Sequence, residues 1–417
     1  MKKLTGAALV FQSGGPTAVI NASLCGVIEK ALKEPSITTI YGAMYGVKGI
    51  LNEQLIDFSK INEKELNLLK LTPGAALGTA RYHFEKYNGK NDGDYRKVLE
   101  VFIKYDIHYL FIIGGNDSMD TCSKLNDFFQ AVCYKCFVIG VPKTIDNDLI
   151  MTDHTPGYAS AAKYIATTTT EIYQDITSYD VGRVTILEVM GRDAGWLTAA
   201  TSLGKVVGMG PDLIYLPEVP FDLEQFLRDV DKIYKEKQKV YIAVSEGIKD
   251  LDGEYFLLKR NYNNDDDFGH LQLGGVGMVL SEIINKRLKY PVRSIELNLP
   301  QRAAMHLVSK TDLNEAYMCG KKAVLAALRQ ETGKTIIMKR MNNYHIKYET
   351  VKTSELASKV KMFPKEWIIS SNMVSSEFID YITPLIKGEV KIPYIDGMPK
   401  FVDIKIKKNY CLEDNVL

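Results

Sequence analysis

Long apolar runs are missing from this 417-residue chain: none approaches the roughly 20 residues that cross a bilayer, so a soluble protein is expected. Neither sign of charge prevails. The 52 lysines and arginines and 51 aspartates and glutamates leave +1, which marks out neither a nucleic-acid footprint nor attraction to a membrane surface. Cysteine forms no framework either. Cys25, Cys122, Cys133, Cys136, Cys319 and Cys411 are scattered, and nothing at the amino terminus reads as a secretory signal, so a reducing, cytoplasmic setting is expected. Cys133 and Cys136 make a single CxxC with no second pair, and six histidines are too few to suggest a zinc site. Two nucleotide signatures are also wanting. QSGGPTAVIN lacks the third glycine of a dinucleotide fingerprint, and TGKT (332–335) has Leu328 where a P-loop needs its first glycine.

What is present is a repeated strand-to-helix design. GAALVFQSGG (6–15) reads as a buried strand ending in a glycine turn, with helical spacing in residues 19–33 behind it. HYLFIIGGND (108–117) repeats the pattern before a helix at 119–132, and CFVIGVPKT (136–144) supplies a further strand. A second series follows: helix 155–176, strand 183–191, helix 193–204, strand 212–218, helix 221–238 and strand 240–247. Helices at 277–289 and 312–331 flank a strand at 292–298, and strands are expected at 335–340, 390–395 and 401–408. The polar segment 259–269 reads as a surface loop. Apolar strands alternating with helices predict an α/β chain of two doubly wound, Rossmann-like domains with mainly parallel sheets, joined near residue 150.

Chemistry gathers at the strand ends. Gly14 with Gly15 and Gly114 with Gly115 each precede a helix, where exposed backbone amides hold phosphate. Asp117, Asp146 and Asp148 stand at the same edge, where open α/β sheets bind ligands. PKTIDND (142–148) fits two readings: an ordinary polar turn, or a phosphoryl-transfer site with a carboxylate base, a metal-holding carboxylate or amide, and a lysine on the transferring group. Arg81, Arg183, Arg192 and Arg302 occupy glycine, proline or strand-end contexts suited to anionic groups, and each alone also reads as a surface cation. Glu246 is either a solvent-facing cap or an acceptor for sugar hydroxyls.

FQSGGPTAVIN (11–21), LGTAR (77–81), IIGGNDS (112–118), PKTIDND, EVMGRDAGWL (188–197), SEG (245–247) and PQRAA (300–304) run in one order over about 300 residues. This series resembles the phosphofructokinase family, most of all its pyrophosphate-dependent branch. The resemblance implies reversible phosphoryl transfer from pyrophosphate to the 1-hydroxyl of fructose 6-phosphate, with Mg²⁺. Asp146 would be the base, flanked by Thr144 and Asp148. Met190, Gly191, Arg192 and Glu246 would hold the sugar, and Arg183 and Arg302 its 6-phosphate, with Arg183 reaching from a neighbouring subunit of a homodimer or homotetramer. Gly14, Gly15 and Arg81, the loop Gly115, Asn116, Asp117 and Ser118, and Lys143 would face the donor, with Arg192 joining Lys143 in catalysis.

Residues 1–150, completed by part of 305–417, would form the donor domain, residues 151–304 the sugar domain, and 335–417 an extension. Asp117 and Lys143 stand where ATP-using relatives carry glycine. Asp117 adds bulk and negative charge where an ATP α-phosphate would lie, and Lys143 suits a compact, highly charged donor. One position departs from the pattern: the family usually has aspartate where Asn116 stands, which puts the metal pair Asn116 and Asp117 in question. His306 or Lys310 is expected to supply a further 6-phosphate ligand. ATP-dependent activity, a sedoheptulose 7-phosphate acceptor, and a weakly catalytic regulatory subunit are the competing readings.

Overall fold

The computed structural model describes residues 4–80, 82–89, 93–258, 274–357 and 359–402. Arg81, Cys411, the segment 259–269 and all but the first two residues of the 401–408 stretch therefore lie outside the described residues.

Two sheets organise the chain. The first takes β1 (Gly6–Gln12), β2 (Ile37–Ala43), β3 (Leu55–Asp57), β4 (Ile107–Gly114), β5 (Phe137–Pro142), β10 (Lys334–Met341) and β11 (His345–Lys352) in the order β11-β10-β5-β4-β1-β2-β3. All its pairings are parallel except the edge pairs β2 with β3 and β10 with β11. Ala8 and Val10 enter one hydrophobic cluster while Ala7, Leu9 and Phe11 enter another, so β1 is buried on both faces. The second sheet orders β7 (Leu213–Tyr215), β8 (Lys239–Ser245), β6 (Arg183–Val189) and β9 (Val292–Glu296) as β7-β8-β6-β9, all parallel. In each sheet the chain leaves its founding strand in both directions. That makes the carboxyl ends of β1 with β4 and of β6 with β8 and β9 crevices where ligands can sit.

The carboxyl-terminal third folds back onto the first sheet. β10 pairs with β5, and helix Lys310–Leu328 lies against helix Ile20–Leu32. Two glycines permit that approach: a Cβ on Gly26 would come within 2.0 Å of the Tyr317 carbonyl oxygen, and one on Gly320 within 2.1 Å of that of Ser23.

Elements expected at 6–15, 19–33, 108–117, 136–144, 183–191 and 221–238 are found with ends shifted by a few residues. The helix expected over 193–204 is instead one α-turn, Trp196–Ala199, followed by a 3₁₀ stretch Ala200–Val207. Thr201 donates from its hydroxyl to the Thr198 carbonyl at 2.7 Å, which favours the tighter three-residue turn. The strand expected at 390–395 shrinks to Tyr394–Ile395 paired with Met398–Pro399. Residues 401 and 402 are not strand. No helix among the described residues is long and apolar enough to cross a membrane.

Candidate active site

Where the two crevices face each other lies a cleft of about 380 Å³, lined by Gly14, Gly15, the loop Gly115 to Ser118, Lys143, Thr144, Asp146, Asp148 and Arg192. Eleven residues singled out from four separated stretches of sequence thus share one cavity. The opening of helix Asn116–Ala131 aims its amino end at it, with Asp117 in the first turn.

PKTIDND forms the floor. Lys143 is 3% exposed, its amide donates to the Gly114 carbonyl at 3.0 Å, and its ammonium donates to the Gly15 carbonyl at 2.6 Å. Burial lowers its pKa to about 8 in spite of the opposing pull of Asp146 and Asp148. Gly14 sits at φ +76°, and a Cβ there would come within 3.2 Å of the same ammonium, so only glycine leaves both the turn and the lysine in place.

Asp146 accepts a 3.4 Å hydrogen bond from the Thr144 hydroxyl, which in turn accepts from the Asp146 amide at 3.1 Å. Burial raises the Asp146 pKa, with Lys143 and Arg192 opposing. Asp148 is pushed up to about 6, by burial and then by the Asp146 charge. Asn147 between them adopts φ +54° and is fully buried.

Asn116 donates from Nδ2 to Asp148 Oδ2 at 3.0 Å, while Asn116 Oδ1 and Asp148 Oδ1 are buried and without a hydrogen-bond partner. Two orphaned oxygens on one hydrogen-bonded pair of side chains fit a hard divalent cation. No group of three or more His, Cys, Asp or Glu side chains suited to a metal exists among the described residues.

A hollow of about 110 Å³ is lined by Met190, Glu246, Asn298 and Gln301 together with Glu188 and Glu296. Glu246 accepts from the Gly191 amide at 3.1 Å, and burial raises its pKa to about 7. Gln301 Oε1 accepts from the Met190 amide at 3.2 Å. Gly191, at φ +134°, lets the chain turn between Met190 and Arg192.

Arg302 and Arg183 lie apart from one another within the chain. Arg302 lies against the Gly14–Gly15 turn, its Nη1 within 3.2 Å of where a Gly15 Cβ would stand. Arg183 opens β6 at the end opposite Met190, about 20 Å away along the strand, in a small hollow with Arg293 and Tyr179. His306 lines a separate open hollow with Tyr164 and Glu171. The sequence reading missed Asp193, Tyr82 and Val360, which also line the cleft. Asp193 stood next to the quoted Arg192 and could have been found. Val360, in a stretch with no motif, could not.

A family model described as Phosphofructokinase matches residues 7–327. A protein of Halomonas elongata named pyrophosphate–fructose 6-phosphate 1-phosphotransferase is 39% identical over 94% of each chain. One of the same name from Methylococcus capsulatus is 38% identical over 95% of each. The crystal structure of a pyrophosphate-dependent phosphofructokinase from Nitrosospira multiformis superposes with a TM-score of 0.87 at 36% identity, covering 98% of both chains. With both glycine loops and the acidic turn meeting at one edge of the first sheet, the chain belongs to the phosphofructokinase family.

Proposed function

We propose that this protein transfers a phosphoryl group reversibly between pyrophosphate and the 1-hydroxyl of fructose 6-phosphate, giving fructose 1,6-bisphosphate and phosphate. The observation that carries this reading is the placement of Asp117 and Lys143 in one cleft with Asp146. A carboxylate and a buried ammonium crowd the space a nucleotide tail would need, and leave room for a short, highly charged donor. The names of the relatives support the same donor and acceptor.

In this reading the Asp146 carboxylate takes the proton of the sugar 1-hydroxyl as its oxygen attacks the nearer phosphorus of pyrophosphate. The bridging P–O bond breaks and inorganic phosphate leaves. Lys143 and Arg192 balance the charge on the moving group, and Thr144 orients Asp146. Asn116 and Asp148, with Asp117 beside them, would hold Mg²⁺, which when bound draws charge from the phosphoryl oxygens.

Met190, Gly191 and Glu246 are assigned to the sugar. Gly14, Gly15, Arg81 and the Gly115 to Ser118 loop are assigned to the donor. Arg183 is too far from its own cleft to touch a substrate there, so its assignment to the 6-phosphate requires a second subunit and hence a homo-oligomer. Residues 1–150 with the returning carboxyl-terminal strands form the donor half in this scheme, and 151–304 the sugar half. A cytoplasmic pool of sugar phosphates fits such an enzyme.

A coupled assay at saturating fructose 6-phosphate, comparing pyrophosphate with ATP, tests the proposal. Turnover with pyrophosphate is expected to exceed that with ATP by at least about tenfold, and the reverse order would overturn the donor assignment.

A further inference from the structure

The family model ends at residue 327, yet a short strap beyond it reaches the cleft: Val360 lines the cavity and bridges Leu149 as an antiparallel partner. Its neighbour Lys361 holds the catalytic turn with both its backbone and its side chain. The Lys361 amide donates to the Asp148 carbonyl at 2.7 Å. Its ammonium donates to Asn147 Oδ1 at 3.3 Å, to the Thr152 carbonyl at 3.2 Å and to the Asp153 carbonyl at 2.9 Å, so its three protons are matched by three oxygens. Asn147 is the left-handed, fully buried residue between the two catalytic-turn aspartates, a conformation that persists only where neighbours enforce it.

The same strap holds the turn that carries Arg192. Trp196 donates from its indole nitrogen to the Lys361 carbonyl at 2.9 Å. The Phe363 amide donates to Glu218 Oε1 at 2.8 Å, and that oxygen also accepts from the Gly195 amide at 2.8 Å. One side of the strap therefore grips residues 147–153 at the end of the first sheet, and the other grips residues 195–196 after the second.

We propose that residues 359–363 brace the active site, with Lys361 a positioning residue that keeps the Asp146 turn and the Arg192 turn in reactive register. The inference rests on the phosphotransferase reading. It assigns to the carboxyl-terminal extension a part in the chemical step, since a misplacement of about 1 Å between base and phosphoryl-stabilising cation costs on the order of 100-fold in rate. Lys361 touches no substrate in this scheme and acts through Asn147 and Asp148.

Wild-type turnover with pyrophosphate tests the underlying reading; the variants test the brace. Lys361→Met keeps the aliphatic stem and removes the three donated protons. Its kcat per folded enzyme is expected to fall about 10- to 100-fold, with KM for fructose 6-phosphate and for pyrophosphate within about threefold of wild type. Lys361→Arg, which keeps charge and donors, is expected to recover at least about half of the logarithmic loss. A purely structural lysine would lower the melting temperature and leave kcat of the folded fraction intact, and kcat within twofold of wild type would overturn the proposal. Should Lys361→Met fail to fold, Trp196→Phe decides, because it releases the strap at its carbonyl while keeping an aromatic ring. A kcat loss of about threefold or more at steady KM supports the brace, and an unchanged kcat overturns it.

Discussion

Lys143 reaches back across 128 positions to donate a 2.6 Å hydrogen bond to the carbonyl of Gly15, joining the end of β5 to the turn after β1. One ammonium therefore ties the Gly14–Gly15 turn to the catalytic floor and sets a positive charge in the cleft, where the proposed reading puts pyrophosphate. Replacing it with methionine keeps the stem and removes the charge. Lys143→Met is expected to raise KM for pyrophosphate about tenfold or more and to lower kcat by about 10- to 100-fold, with the KM for fructose 6-phosphate little changed. Steady-state kinetics with each substrate varied in turn checks this, and a loss confined to the sugar KM would contradict the donor role.

Asp146 lines the cleft with its carboxylate held by the Thr144 hydroxyl. Asn at this position retains size and the hydrogen bond but cannot take a proton. Asp146→Asn is expected to lower kcat by about two to four orders of magnitude while calorimetric titration still detects fructose 6-phosphate binding. A rate within about tenfold of wild type would remove Asp146 from the role of base.

The same groups set the response to pH. Burial raises both Asp146 and Asp148, the latter to about 6, so kcat/KM should climb with pH on the acid side as Asp148 ionises through about 6 and Asp146 ionises above its ordinary carboxylate range. Glu246, at about 7, extends that limb on the sugar side. Lys143 works in the opposite sense: lowered to about 8, it loses its charge above that pH, and kcat/KM should decline there. Lys143→Arg keeps a positive charge throughout and is expected to abolish the alkaline decline without moving the acid limb. An alkaline limb that survives this substitution would assign it to another group.

The parts legible from sequence were those in which the chemistry is local. Strands β1, β4, β5, β6 and β8 declare themselves by apolar runs, and the glycines, Lys143 and Asp146 follow within a few residues of a strand end, so parallel order alone brings them to one edge. Partnerships between distant segments left no such trace. The exposed edge strand β11 has no continuous apolar run, and Lys361 meets residues about 200 positions earlier through backbone carbonyls that any sequence supplies. Arg183 was legible as a motif residue, but its separation from the cleft follows from the length of β6 and needed the fold.

Asn116 offers the last test, because its amide does two things at once. Nδ2 donates to Asp148 Oδ2 at 3.0 Å, and Oδ1 is left buried without a partner, as is Asp148 Oδ1. Substituting Asn116→Asp turns that donor into an acceptor and sets a second negative charge against Asp148, already raised to about 6. Without metal the pair should bind a proton more tightly, moving the acid limb of kcat/KM to higher pH. With metal the added charge strengthens a hard-cation site, so the Mg²⁺ concentration giving half-maximal rate should fall by about 3- to 10-fold at pH 8. Titrating activity with Mg²⁺ at pH 6 and pH 8 separates the two effects: improved metal use at pH 8 that shrinks at pH 6 places the ion between these side chains, whereas an unchanged Mg²⁺ dependence at both would place it elsewhere.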